Sequence, residues 1–324
     1  MYKNFKTAVI IPCYRLPPTL QDIIAKVPDY IDIIIIIDDA CPDNSVKIQL
    51  PNKNENDKVI YKRSLTNQGV GDAFRVGYEI ACEEGVDLVV KIDGDGQHGT
   101  ENINYYFDKI IDGQYDFMKG NRFTNSSVLS NMPLVRLIGN SFLSLVCKVT
   151  SGYWSVMDPT YGKFATSISC LNALQWRTIG KRYTFETSLI CSLSLEYAKI
   201  GQVRENVVYS IEKSNLRPIR MIMPLLSVCG TFFVKRYIQK NFLRTFTVNT
   251  ALIPLWLFLF PFTLNFVYSN WKMAIELNEY TAPGTVGIAL LLSIITILLP
   301  VLIIMYDVVS EPKEVQDFLK LNKN

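Results

Sequence analysis

The chain has 324 residues, with 33 Lys and Arg against 30 Asp and Glu, 49% hydrophobic residues and only 19% charged ones. A net charge of +3 gives no cationic field for nucleic acid, and a mean hydropathy of +0.16 is too apolar for a disordered chain and oily for a soluble enzyme. Seven scattered cysteines without a CxxC pair, and one histidine, His98, exclude a structural zinc site and a disulfide scaffold. They read as reduced thiols facing a cytosol.

From the N-terminus the pattern alternates strand and helix. Lys3 and Lys6 precede an apolar run too short for a signal peptide. Residues 7–11 form a β-rich run ending at Pro12. Pro17 then opens a segment with Leu20, Ile23, Ile24 and Val27 at helical spacing. Residues 33–37 are five isoleucines closed by Asp38-Asp39, the pattern of a strand buried on both faces of a parallel sheet. The polar patch 52–57 reads as a surface loop, and 59–61 as a weaker strand. Over 69–82, Val70, Ala73, Phe74, Gly77, Tyr78 and Ala81 share one helical face, and 88–92 is a further strand, stopped by Asp93. The alternation predicts an α/β, doubly wound, mostly parallel sheet, in which ligands bind beyond the carboxyl ends of the strands.

Two of those ends are acidic. Asp93-Gly94-Asp95 sets two carboxylates close enough to repel unless a cation joins them, and a divalent ion with a diphosphate fits such a pair. An ordinary Asp- and Gly-rich turn is the alternative. Asp38 or Asp39 has the chemistry to accept hydrogen bonds from a nucleobase or ribose. The first strand is followed by no glycine-rich turn, and no Walker-type loop occurs, which disfavours nicotinamide chemistry and P-loop hydrolysis.

The apolar excess lies near the C-terminus. Residues 245–271 and 280–306 carry no charge, and each run exceeds the ~20 residues that cross a bilayer core as a helix. Joined by a short segment over about 270–284, they predict a hairpin with both flanks on one side. Lys235, Arg236, Lys240 and Arg244 precede the hairpin, and Lys313 and Lys320 follow it, so the positive-inside rule places the large N-terminal part in the cytoplasm. The stretch 221–234, interrupted by Pro224 and Gly230, reads as an interfacial helix on the cytoplasmic leaflet, with a buried helix of the soluble domain as the alternative. The spans lack GxxxG and offer no dimer seam, which leaves a homo-oligomer open.

Four motifs carry a family resemblance: Ile10-Ile11-Pro12-Cys13-Tyr14, Ile37-Asp38-Asp39-Ala40-Cys41-Pro42-Asp43, Asn67-Gln68-Gly69-Val70-Gly71 and Lys91-Ile92-Asp93-Gly94-Asp95-Gly96-Gln97. Gly120-Asn121-Arg122-Phe123, Asp158-Pro159-Thr160-Tyr161-Gly162, Phe185-Glu186 and Glu212-Lys213-Ser214-Asn215-Leu216 extend it over roughly the first 220 residues. The chain resembles glycosyltransferase family 2, in its dolichol-phosphate mannosyltransferase-like, polyprenyl-phosphate branch. The resemblance implies a GT-A domain over 1–216, juxtamembrane helices over 217–244, two transmembrane helices over 245–309 and a cytoplasmic tail over 310–324, in the inner membrane.

It also implies a nucleotide-diphosphate sugar donor, with Pro12, Tyr14, Asp38, Asp39 and Gln97 at the donor and Asp93 and Asp95 holding Mg²⁺ or Mn²⁺. Asp158 is the candidate base, or a positioning residue if the acceptor is already ionised. Arg122, Arg136, Glu186, Lys213 and Arg217 are candidates for the acceptor side, and His98 for a metal or nucleotide contact. The sequence departs from the family at Arg15-Leu16, where Asn-Glu is common, and at Ala40-Cys41-Pro42. The expected reaction is inverting transfer of a hexose to a polyprenyl phosphate. Extension of a lipid-linked saccharide and a silent nucleotide-binding scaffold are the alternatives.

Overall fold

The computed structural model describes residues 1–50, 58–96, 99–123, 134–205, 218–316 and 318. They fall into two compact units, one running to Phe233 and resuming at Pro312, the other comprising Val234–Glu311. The polar patch 52–57 lies outside the described residues.

The first unit is built on a seven-stranded sheet. Its strands are β1 (Thr7–Cys13), β2 (Ile33–Asp38), β3 (Val59–Arg63), β4 (Leu88–Lys91), β5 (Phe117–Asn121), β6 (Phe164–Ser167) and β7 (Ile200–Arg204), in the order β3-β2-β1-β4-β6-β5-β7. All neighbours are parallel except β6, which runs antiparallel to β4 and β5. The helices are α1 (Leu20–Lys26), α2 (Ser45–Ile48), α3 (Val70–Glu83), α4 (Ile103–Ile111), α5 (Leu134–Ser151), α6 (Ile168–Asn172), α7 (Phe185–Leu195) and α8 (Pro218–Ile238).

The isoleucine run explains the layering. Side chains alternate across a strand. Ile33, Ile35 and Ile37 therefore enter one core with Ala73, Phe74 and Tyr78 of α3, while Ile34 and Ile36 enter the other with Ile23 of α1 and Tyr106 of α4. Neither face of β2 meets water, so no polar alternation was needed in its sequence. α3 lies close on the sheet because Gly77 has no side chain: a Cβ there would sit 2.5 Å from Ile10 Cγ2 and 3.3 Å from Ile37 Cγ1. Gly77→Ala is expected to overpack this contact by about 1–3 kcal/mol, read as a lower thermal midpoint of the purified chain.

β1 runs on through Pro12, although the sequence reading ended it there. Ile92 N–H donates to Ile10 O (3.1 Å) and Asp39 N–H to Cys13 O (2.9 Å), so successive residues of β1 address β4 and β2 in turn. Pro12 falls on the β4 side, beyond the last bond of that ladder, where a missing N–H costs little.

The first unit reaches further than 1–216. Cys229 and Phe232 of α8 are buried, Phe232 against Cys191 and Leu195 of α7, so this part of 221–234 is core rather than interface. The segment from 310 is not a separate tail: Gln316 N–H donates to the Asp116 carboxylate (3.0 and 3.1 Å), and Phe318 packs on the core.

The second unit holds α9 (Val248–Leu277) and α10 (Pro283–Val309), with mean hydropathies of 1.8 and 3.0 in their most apolar windows. At 1.5 Å per residue they are about 45 and 40 Å long, more than the ~30 Å hydrocarbon core. Only 6% and 11% of those windows is buried, so their apolar side chains point outward. The turn between them is shorter than expected, and Lys272 and Glu276 lie on α9 as an i,i+4 pair at 3.6 Å. Arg236 and Lys240, read as charged flanks, are buried on Asp307 of α10, Arg236 through two bonds (2.8 and 3.0 Å) and Lys240 through one (3.0 Å).

Candidate active site

The strand order reverses between β1 and β4, and a crevice opens there at the carboxyl ends of both strands. It is a cleft of about 210 Å³ whose wall includes Pro12, Cys13 and Tyr14 after β1, Asp39 after β2, Val70 and Ala73 of α3, and Asp93 to Asp95 after β4. Tyr14 is 41% exposed at the mouth, and the Arg15 guanidinium lies 5.5 Å from its ring centroid. Arg15 turns the chain with a φ of 47°, its N–H donating to Cys41 Sγ (3.1 Å). Leu16, where the family pattern often has a carboxylate, lines the cleft instead: a Cβ on Gly94 would meet its Cδ1 at 2.7 Å. Thr19 Oγ1–H donates to Gly94 O (2.8 Å), tying the acidic turn to the start of α1.

Of the two aspartates closing β2, Asp39 lines the cleft. Asp38 is fully buried, accepting from Cys41 N–H (2.7 Å) and Tyr61 O–H (2.9 Å), and is not part of the cleft wall. Burial, reinforced by Asp38, pushes the Tyr61 phenol up to about 12. Asp39 accepts the N–H groups of Gln68 (2.9 Å) and Gly69 (2.7 Å). Gly69 has a φ of 99°, and a Cβ there would lie 2.6 Å from Lys181 O, so this turn accepts only glycine.

The acidic pair is organised from below by Lys91, a residue that sequence reasoning did not single out. Its side chain is wholly buried in β4, and Nζ donates to Asp93 Oδ1 (2.5 Å), Gly162 O (3.0 Å) and Glu186 Oε1 (3.5 Å). Burial works against its charge, but Asp93 and Glu186 outweigh it and raise its pKa above the ordinary lysine value. Glu186 opens α7 beside the buried Phe185, and burial pushes its carboxyl up while Lys91 opposes. A lysine closing an otherwise apolar buried strand needs anionic partners, and that was the available signal.

Gly162 carries the other side of Asp93. A Cβ there would come within 1.9 Å of Asp93 Oδ2 and 3.2 Å of Lys91 Nζ. Gly162→Ala is therefore expected to push Asp93 out of register. Its kcat should fall by about 10²-fold, as misplaced reacting groups do, while the circular dichroism spectrum stays that of the parent.

Asp158 stands in a second buried ion pair. Its φ is 54°, and its carboxylate accepts Arg122 Nε (2.8 Å), Nη2 (2.7 Å) and backbone N–H (3.1 Å). Burial would raise its pKa, but the Arg122 bonds and charge outweigh that and hold it below the usual carboxylate range. A carboxylate so engaged is a weak proton acceptor. The same pair occupies the Arg122 guanidinium, which was expected on the acceptor side. Lys119, also missed from sequence, donates to the Asp158 carbonyl (2.6 Å) and to Met157 and Gly120 carbonyls, and burial brings its ammonium down to about 8. Gln97, His98, Lys213 and Arg217 lie outside the described residues; Arg136 falls on α5, its side chain likewise outside.

Asp93 and Asp95 offer carboxylate oxygens at the cleft, with Asp93 anchored behind by Lys91. Among the described residues no third His, Cys, Asp or Glu joins them as a ligand cluster. Two carboxylates and an open cleft suit a hard divalent cation that takes its remaining ligands from phosphate oxygens and water.

A mixed sheet with an acidic turn at its switch point is the architecture of a GT-A glycosyltransferase. A family model described as glycosyl transferase family 2 matches residues 8–187, more than half of the chain, and the chain belongs to that family. It is 34% identical over 220 residues to the UDP-N-acetylglucosamine–dolichyl-phosphate N-acetylglucosaminyltransferase of Methanococcus voltae, across 62% of this chain and 85% of that relative. It is 26% identical over 189 residues to the undecaprenyl-phosphate mannosyltransferase of Micrococcus luteus, across 57% of this chain and 76% of that relative. Among solved structures, glucosyl-3-phosphoglycerate synthase from Mycobacterium tuberculosis, in complex with Mn²⁺, uridine diphosphate and glucosyl-3-phosphoglycerate, has a TM-score of 0.53. At 18% identity over 70% of this chain and 81% of that one, the likeness is one of fold.

Proposed function

We propose that this glycosyltransferase moves a hexose, with inversion at the anomeric carbon, from a nucleoside-diphosphate sugar to a polyprenyl phosphate at the cytoplasmic face of the cell membrane. The observation that carries the reading is the acidic pair Asp93 and Asp95 in the β1/β4 crevice of a chain that also bears two bilayer-length apolar helices. The Methanococcus and Micrococcus relatives, both named for transfer to polyprenyl-type phosphates, support it.

In this reading Tyr14 and Pro12 pack against the nucleobase and Asp39 accepts from the base or ribose. Asp93 and Asp95 hold Mg²⁺ or Mn²⁺ at the diphosphate. The cation, when bound, neutralises charge that develops on the leaving nucleoside diphosphate. Lys91 holds Asp93 in place, and Glu186, on its other side, faces the sugar. The acceptor phosphate has a second pKa near 6 and attacks already ionised. No strong base is required, in keeping with a carboxylate at Asp158 committed to Arg122. Arg136, Lys213 and Arg217 supply cations for that phosphate. Extension of a sugar hydroxyl would require a general base, and the Asp158 geometry weighs against it.

The test is transfer by the purified full chain in detergent, with undecaprenyl phosphate, Mg²⁺ or Mn²⁺ and radiolabelled nucleotide sugars, UDP-N-acetylglucosamine first. The expected product is a labelled lipid that releases its sugar in mild acid. Label entering only a lipid-linked saccharide, in an acid-stable linkage, would establish the hydroxyl-acceptor reaction instead.

A further inference from the structure

The segment that carries Asp158 and Gly162 runs on to Lys163, whose side chain is wholly buried. β6 is antiparallel to β4, and its first residue, Phe164, pairs with Lys91, the last of β4. Lys163 therefore stands one step past the end of β4, level with the start of the acidic turn. Side chains alternate across a strand. Phe164 enters the core that holds α3, so Lys163 shares the other face with Ala165, where the Tyr106 ring centroid of α4 lies 5.0 Å from Nζ. There Nζ donates to Glu205 Oε1 (2.9 Å) and to Gly99 O (2.8 Å). Glu205, itself buried just after β7, accepts the Tyr106 O–H as well (2.7 Å).

A buried ion pair adds little to stability over apolar residues of the same volume, so stability alone does not account for Lys163 and Glu205. The bond to Gly99 O supplies a reason. Gly99 comes four residues after Asp95. On the near side of Asp95, Asp93 is bonded to Lys91 Nζ and packed against Gly162. On the far side, Thr100 Oγ1–H donates to Lys26 O (2.7 Å), and Lys163 ties Gly99 to the segment that also carries Gly162. Two consecutive residues, Gly162 and Lys163, thus meet the chain before and after Asp95. We propose that Lys163 is a positioning residue for the cation: with Glu205 fixing its ammonium, it holds the chain beyond Asp95 so that both carboxylates keep the spacing one divalent ion requires. Groups that orient metal ligands from behind typically account for about 10–100-fold in metal affinity. The sign of the effect is diagnostic. A cation near the site repels Mn²⁺, so a purely electrostatic role predicts tighter metal binding once Lys163 is removed, and a positioning role predicts weaker binding.

The proposal rests on the reading of Asp93 and Asp95 as metal ligands, and the test separates the two. Mn²⁺ is titrated into the purified full chain in detergent, once with UDP and once with GDP. Bound metal is read from the relaxation rate of water protons, which needs no turnover. Lys163→Met removes the ammonium. The double variant Lys163→Met/Glu205→Gln removes both charges, keeps an acceptor for Tyr106 and leaves the local charge balance unchanged. Thermal midpoints are measured alongside. The expected result is a lower midpoint for the single variant, recovery of the midpoint in the double, and Mn²⁺ affinity at least about tenfold below the parent in both. Affinity in the double variant equal to the parent's, or tighter, overturns the proposal and leaves the metal site standing, because Lys163 then serves only to pair Glu205. A double variant that does not fold assigns Lys163 to the fold and also overturns it. A parent chain that binds no Mn²⁺ with either nucleotide removes the metal reading and the proposal together.

Discussion

Replacing Asp93 and Asp95 together by alanine is expected to lower kcat by at least about 10³-fold, the loss that follows when preorganised charge stabilisation is taken from a transition state. Both residues stand beyond the last ladder bond of β4 and line the cleft rather than the core, so the sheet survives the change. The single variants separate two roles. Asp93 is the nearest anion to the buried Lys91 ammonium, and its loss leaves that charge to Glu186 and Gly162 O alone. Asp93→Ala should therefore lower the thermal midpoint by several degrees, since unpairing a buried charge is costly. Asp95→Ala should lose activity with a smaller change in midpoint. Turnover assays and thermal scans on the three variants check this; full activity in the double variant removes the mechanism.

Asp158→Asn is expected to cost about 3 kcal/mol of stability, because it leaves the 8% exposed Arg122 without its counter-charge. Asparagine suits the left-handed backbone at this position, so the loss reports on charge rather than strain. The folded-state pKa of Asp158 lies below the ordinary carboxylate value. Its contribution is therefore complete above about pH 4 and disappears as pH falls through the lower folded value. Denaturant midpoints of parent and variant should differ by a constant amount from neutral pH to about 4 and converge only in stronger acid. Turnover below the unfolding temperature should stay within about tenfold of the parent. Removal of a true general base costs about 10²–10⁴-fold, and a loss of that size at Asp158 would restore the hydroxyl-acceptor mechanism.

The scaffold was readable where one residue type repeats a physical demand. Five consecutive isoleucines suit a strand covered on both faces, and Asp38-Asp39 and Asp93-Gly94-Asp95 mark the carboxyl ends of strands that the sheet brings to one crevice. The two long uncharged runs likewise foretold helices with outward apolar surfaces, off by a few residues at their ends because Lys272 and Glu276 continue the helix. The long-range pairings were not readable. β6 is four residues with no periodicity of its own, and its antiparallel place between β4 and β5 is a property of the assembled sheet. Nothing local joins Lys91 to Glu186, or Lys119 and Arg122 to Asp158, because 95, 39 and 36 residues of chain separate them. The sequence left Asp158 open between base and positioning residue for the same reason: its partner Arg122 follows β5, 36 residues earlier in the chain.

Equilibrium binding of UDP and GDP to the purified full chain, by calorimetry with Mn²⁺ and again with excess chelator, is the most direct probe of the acidic cleft. One of the two nucleotides should bind with Mn²⁺ and lose at least about tenfold in affinity, about 1.4 kcal/mol, when the metal is withdrawn or when Asp93 and Asp95 are both alanine. Binding of equal strength in all three conditions, or of neither nucleotide in any, would contradict a site in which these two carboxylates hold a cation against a nucleoside diphosphate.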